Sequence, residues 1–196
     1  MSTAIINLSP RGNRAVSGIF ARMLKEKLTD AHIYSINERN SQNTMDEIVR
    51  NDVWVISSPL YVDGLPAQAV AWLERAARVV KKNICVYCVI NCGFFEGEQT
   101  KTAMRMVQCF CKSCGLNYLG GMGIGSGGVT PAMLRFPIRL HPLRALDAEL
   151  ARMARLMSKR IYMGERFMSM GYSARIYKLM AETSFKITGR KNRVKI

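Results

Sequence analysis

Histidine, acidic residues and long apolar runs are all scarce in this chain, and each scarcity excludes something. His32 and His141 are the two histidines among 196 residues. His32 opens a short apolar run and His141 lies between arginine-rich segments, with no serine elbow near either, so a serine–histidine hydrolase has nothing to build on. No apolar run reaches the ~18 residues that a membrane-spanning helix needs. The longest, around Ile84–Phe95, is interrupted by Asn91 and reads as a buried strand with its loop. The start of the chain lacks the basic segment and apolar stretch of a secretory signal, which sets the expectation of a cytoplasmic protein. No Gly-Lys-Ser/Thr loop, no Gly-x-Gly-x-x-Gly, no zinc-finger spacing, no internal repeat and no low-complexity segment occurs.

What is present is an ordinary globular composition. Hydrophobic residues make up 48 % of the chain, enough for one domain with a proper core. Six cysteines suit a reducing compartment. Their spacing, 85-88-92 and 109-111-114, tests an iron–sulfur site, which needs convergent thiolates. Cys85 and Cys88 differ by an odd number along a strand and face opposite sides, while Cys109 points away from Cys111 and Cys114 on a helix. These thiols read mostly as small core residues, and no metal site is expected.

Charge is lopsided. The net charge is +15, from 29 basic and 14 acidic residues. Residues 1–134 contribute +4 and residues 135–196 contribute +11. A basic surface of this kind attracts an anionic cofactor, substrate, nucleic acid or membrane, and equally describes a solvated face.

Apolar periodicity alternates between strand and helix five times. Ala4–Leu8 is a first strand, and Val16, Ile19, Phe20, Met23, Leu24 and Leu28 follow at helical spacing. Ile33–Ile36, Asp52–Ser57, Ile84–Ile90 and Tyr118–Ile124 supply further strands, the last weakened by glycine. Between them lie helices at Met45–Arg50, from Pro66 through Ala69, Val70, Leu73, Ala77 and Val80, and at Glu98–Cys114, closed by Gly115. This order implies parallel crossovers and a doubly wound sheet, whose ligands sit beyond the carboxyl ends of the strands. A last helix carries Leu143, Leu146, Leu150, Met153, Met157 and Ile161. The expected division is a domain over 1–164 and a basic helical extension over 165–196, apolar on one side through Phe167, Met168, Ile176, Tyr177, Leu179, Met180 and Phe185.

Three loops follow strand ends. Ser9-Pro10-Arg11-Gly12-Asn13-Arg14-Ala15-Val16-Ser17 enters the first helix, where free N–H groups, short polar side chains and Arg11 suit a phosphate. Ser58-Pro59-Leu60-Tyr61-Val62-Asp63-Gly64-Leu65-Pro66 holds an aromatic ring at the end of the third strand. Asn91-Cys92-Gly93-Phe94-Phe95-Glu96-Gly97 combines a glycine open to close backbone approach with two rings. Each loop taken alone also reads as a capped helix start, a structural turn or a core-closing loop.

Together, Asn7-Leu8-Ser9-Pro10-Arg11, Ser58-Pro59-Leu60-Tyr61-Val62 with Leu65-Pro66, and Asn91-Cys92-Gly93-Phe94 resemble the flavodoxin-like NAD(P)H-dependent FMN reductases, over about residues 4–130. That resemblance implies a five-stranded parallel sheet in the order 2-1-3-4-5 with helices on both faces. It implies FMN, its phosphate held by Ser9, Arg11, Asn13, Val16 and Ser17. Its ring would meet Pro59, Leu60, Tyr61 and Val62 on one side and Asn91, Cys92, Gly93 and Phe94 on the other. It further implies NAD(P)H as donor, a quinone, nitro compound, flavin or protein as acceptor, and a homodimer. Ala15 and Val16 stand where family members often carry Ser or Thr, so this loop offers fewer hydroxyls. A flavodoxin-type electron carrier without nicotinamide oxidation is the alternative. For the basic extension, docking on its own domain or a second subunit stands beside contact with nucleic acid or an anionic membrane.

Overall fold

The structure, a computed structural model, describes residues 2–36, 41–80, 83–125, 143–169 and 173–192. Its strands are β1 (Thr3–Asn7), β2 (Ala31–Ser35), β3 (Val53–Pro59), β4 (Cys85–Asn91), β5 (Asn117–Ile124) and β6 (Gly164–Met168). Its helices are α1 (Val16–Lys25), α2 (Ser41–Ile48), α3 (Ala67–Ala77), α4 (Lys101–Cys114), α5 (Leu143–Ser158) and α6 (Ala174–Lys191), with single 3-10 turns at Gly12–Arg14 and Gly97–Thr100. The strands form one parallel sheet in the order β2-β1-β3-β4-β5-β6.

The central strands are buried on both faces, as their unbroken apolar runs require. Alternate side chains divide between two cores. Ala4, Ile6, Trp54, Ile56, Val86, Cys88 and Ile90 pack under α2, α3 and α4. Ile5, Val53, Val55, Cys85, Tyr87, Val89, Met122 and Ile124 pack under α1 and α5. Cys85 and Cys88 thus lie in opposite layers, as their odd spacing implies. Helix α4 stops where Gly115 turns left-handed at φ 67°.

The sheet has six strands, one more than the expected five. β6 extends the parallel ladder beside β5, pairing Gly120 with Gly164 through Ile124 with Met168. The 164/165 boundary expected from sequence therefore falls inside a strand. β6 reads weakly because it is an edge, half-buried, with Glu165 and Arg166 in its middle. The preceding helix ends at Ser158 rather than at Ile161, which is exposed. Beyond β6, α6 lies against the domain through Tyr177 and Met180.

Candidate functional site at the carboxyl edge of the sheet

All strands run parallel, so the loops after β1, β3 and β4 emerge at one edge of the sheet. The ladders bring them together: Asn7 lies beside Ser57, and Pro59 beside Asn91. Two further bonds knit the loop bases, from Leu8 N–H to the Ser57 carbonyl (2.8 Å) and from Leu60 N–H to the Asn91 carbonyl (2.7 Å).

The loop after β1 is organised by Asn7, a fully buried side chain to which the sequence reading gave no role. Its Oδ1 accepts from the Ser17 hydroxyl (2.9 Å) and from Ser9 N–H (3.3 Å). Ser9 Oγ accepts from Arg11 N–H at 3.2 Å, a short turn that fixes the loop's exit from the strand. Ser57 Oγ donates to the Ser17 carbonyl, tying α1 to β3. Ser9 and Ser17 are therefore buried framework, whereas Arg11 and Asn13 are exposed and Val16 is half-buried. The Ser17 hydroxyl proton is spent on Asn7, leaving its backbone N–H as the group at the helix end. Helix α1 begins after Ala15 with no side-chain cap. Its first intrahelical bond runs from Ile19 N–H to the Ala15 carbonyl, so the Val16, Ser17 and Gly18 amides have no acceptor within the helix. Gly18 is required there, because a Cβ would lie 2.8 Å from the Asn13 carbonyl oxygen.

The loop after β3 is a tight turn. Tyr61 and Gly64 exchange backbone hydrogen bonds of 2.9 and 3.1 Å around Val62 (φ 46°) and Asp63 (φ 58°). Two successive left-handed residues make a type I′ turn, which ordinarily takes Asn and Gly. A β-branched residue there is strained, and Val62 is also fully exposed at the apex. Tyr61 beside it is 43 % exposed. Pro59 closes β3 and is buried, and Leu60 is half-buried against the α2–α4 core.

At the end of β4, Asn91 Oδ1 is buried and, with Ser35 Oγ at the end of β2, has no hydrogen-bond partner among the described residues. Burying a carbonyl oxygen unpaired is costly, so this atom is a vacant acceptor at the strand end. Cys92 is buried, and burial pushes its thiol pKa up; its Sγ lies 3.4 Å from the Glu96 carbonyl. Such a thiol is a packing group rather than a nucleophile. Space is open around Gly93, and Phe94 is 55 % exposed. Tyr177 of α6 donates to the Gly93 carbonyl and lies against Phe95, with ring centroids 5.7 Å apart. The same burial, together with Cys92 and Glu96, raises the Tyr177 pKa. Phe95 stands in the loop whose two rings are expected to wall a flat pocket; Tyr177, from the tail, joins it only because the fold brings the two together.

The expected ring and phosphate residues thus lie in or next to three adjoining loops, Val16 and Ser17 opening α1 and Pro59 and Asn91 ending β3 and β4. Of the three arginines expected from the sequence as candidates to meet the acidic nicotinamide cofactor, Arg135 and Arg139 lie outside the described residues, as do Ser126, Gly127 and Gly128, and Arg144 is exposed in the first turn of α5. Among the described residues, no group of three His, Cys, Asp or Glu side chains gathers as a metal site.

No family model matches the chain, and no curated protein matches its sequence. Solved structures do match by shape. An NADPH-quinone reductase from P. pentosaceus superposes with a TM-score of 0.58 at 17 % identity, over 79 % of this chain and 98 % of that one. A flavodoxin from Streptococcus pneumoniae TIGR4 gives 0.58 at 14 % identity, over 82 % and 100 %. The Trp repressor binding protein from Bacillus subtilis gives 0.53 at 14 %, over 63 % and 84 %. The fold is flavodoxin-like, with β6 added to the expected sheet.

Proposed function

We propose that this protein is an FMN-binding oxidoreductase that takes a hydride from NAD(P)H and passes electrons to a small-molecule or protein acceptor. The observation that carries the reading is the vacant Asn91 Oδ1 at the strand end. It stands beside a strained turn that displays Tyr61 and Val62, at the same edge as an uncapped helix start. These features fit a flat heterocycle with polar edges and a phosphate tail. The NADPH-quinone reductase of like fold supports the same class of chemistry.

Arg11 and Asn13 are exposed beside the α1 terminus, where amide N–H groups and the helix dipole favour a doubly charged phosphate. Asn7 holds that loop open from beneath through Ser9 and Ser17. Tyr61 and Val62 offer an apolar surface against which a ring can lie, and Phe94 offers another from the β4 loop. Asn91 Oδ1 would accept a hydrogen bond from the polar edge of the ring, which would satisfy this buried acceptor. The Tyr61 N–H is already bonded to Gly64, so the amides of Val62 and Gly93 would be the ones to stabilise charge on the ring edge. Bound FMN supplies the hydride and electron chemistry, and the protein's part is to bind, orient and shield it. No side chain is required as acid or base, in keeping with the protonated Cys92 thiol.

The test is the visible spectrum of the purified protein, then anaerobic addition of NADPH or NADH. Flavin bands that bleach within a turnover support the reductase. Bands that bleach with neither nicotinamide, but do so with dithionite, move the protein to the electron-carrier class. A colourless protein that takes up no added FMN overturns the reading.

A further inference from the structure

Helix α6 gives half of its apolar arc to the domain and turns the other half outward. Tyr177 and Met180 face the fold. At about 100° per residue, Ile176, Leu179, Thr183 and Ile187 fall on a neighbouring stripe. Its three aliphatic side chains are 50 %, 65 % and 61 % exposed. Arg175 and Lys186 run along the outer border of that stripe beside Glu182, which pairs with Lys178; Arg190 prolongs the stripe itself, and Phe185 turns to the opposite side, all exposed. From Ser173 onward the sequence holds seven basic residues and one acidic residue, Glu182. No described helix is long and apolar enough to cross a membrane.

We propose that α6 is the surface by which this protein docks, in plane, on an anionic lipid membrane. An aliphatic stripe bordered by arginine and lysine is the pattern of an interfacial helix: the stripe enters the boundary of the acyl chains, while the long cationic side chains reach the headgroups. Charge decides between occupants. A second copy packed through this face would set Arg175, Lys186 and Arg190 against their own equivalents, and like charges facing each other disfavour that pairing. A nucleic acid would satisfy the cations but leave Ile176, Leu179 and Ile187 against sugar and phosphate. An anionic bilayer satisfies both sets of side chains. Tyr177 ties α6 to the Gly93 carbonyl, so the outward stripe keeps its orientation on the domain.

The test uses the full chain and sedimentation with vesicles. Binding is expected to phosphatidylcholine vesicles containing phosphatidylglycerol, weak with phosphatidylcholine alone, and reversed by salt. Removing two cations, Lys186→Gln with Arg190→Gln, is expected to weaken binding roughly 30-fold, about fivefold for each charge near the surface. Leu179→Glu is expected to weaken it at least about tenfold, through loss of apolar burial. All three positions are exposed, so the melting midpoint and far-ultraviolet dichroism should match the parent. Failure to sediment with anionic vesicles at low salt overturns the proposal, as does equal binding to uncharged ones. A concentration-dependent dimer that Leu179→Glu dissolves would reassign the face to a second copy. Binding to duplex DNA that Leu179→Glu leaves unchanged, without vesicle binding, would reassign it to nucleic acid. The vesicle assay reads no flavin, so its outcome is separate from that of the spectrum.

Discussion

Val62 and Asn91 show how much a single residue can say about a site. Both sit at strand ends in locally unfavourable states, one in a left-handed turn and one with a buried acceptor unmet. Such strain concentrates where a fold serves something other than its own stability. Val62→Gly should stabilise the protein by about 0.5–1 kcal/mol, because relief of roughly 1–2 kcal/mol of left-handed strain exceeds glycine's entropic cost. The melting midpoint checks it; a fall would mean that the Val62 conformation is not strained. Arg11 makes the opposite kind of case, an exposed cation whose bond within the loop is made by its backbone N–H rather than its side chain. Arg11→Ala should leave the melting midpoint of the flavin-free protein unchanged and weaken FMN binding by about 1.5–3 kcal/mol, the scale of hydrogen bonds to a charged group. Unchanged affinity in a fluorescence titration removes Arg11 from the phosphate site.

Among the elements, β6 carries the main structural lesson. Periodicity placed β1, β3, β4 and β5 and the helices between them, because buried strands and amphipathic helices write strong patterns. β6 wrote none: its charged centre suits an edge, and only its pairing with β5 makes it a strand. The α3 face was also read one residue off in places. Trp72 and Ala76 enter the core, Trp72 edge-on to Trp54 at 6.1 Å, whereas Ala77 is exposed. A chain cut after Ser169 should keep a cooperatively folding sheet. A cut after Glu165 removes Arg166–Met168 and with them the Gly125 N–H bond to the Met168 carbonyl. It should lose at least about 2 kcal/mol, counting one or two hydrogen bonds and two half-buried side chains. Urea unfolding of both truncations tests this, and equal midpoints would make β6 an ornament rather than part of the domain.

At the scale of the whole molecule, burial sets the response to pH. Burial pushes the Cys88 thiol up to about 12 from an ordinary 9.0, and raises the Cys111, Tyr87 and Tyr118 pKa values in the same way. Tyr118 bridges Cys88 on β4 and Glu165 on β6, so part of this set lies at the seams of the sheet. Each group holds its proton more tightly folded than unfolded. Their contribution is therefore complete below the unfolded pKa values and is lost as pH rises through the folded ones. Stability should be level up to about pH 8.5 and fall steadily above pH 9. Urea midpoints across that range check the sign, and a rise with pH would contradict the burial of these groups.

The sequence by itself determined the class of fold, the two layers over the sheet, the opposed thiols and the three loops that meet at its edge. These follow from local pattern: period two or continuous burial for strands, three to four for helices, and turn residues between. Tertiary structure alone decided the sixth strand, the Asn7 hub beneath the first loop, the vacancy at Asn91 Oδ1, and the seat of Tyr177 on Gly93, 84 residues away in sequence. Each of these depends on which distant groups come into contact, and no local pattern carries that information.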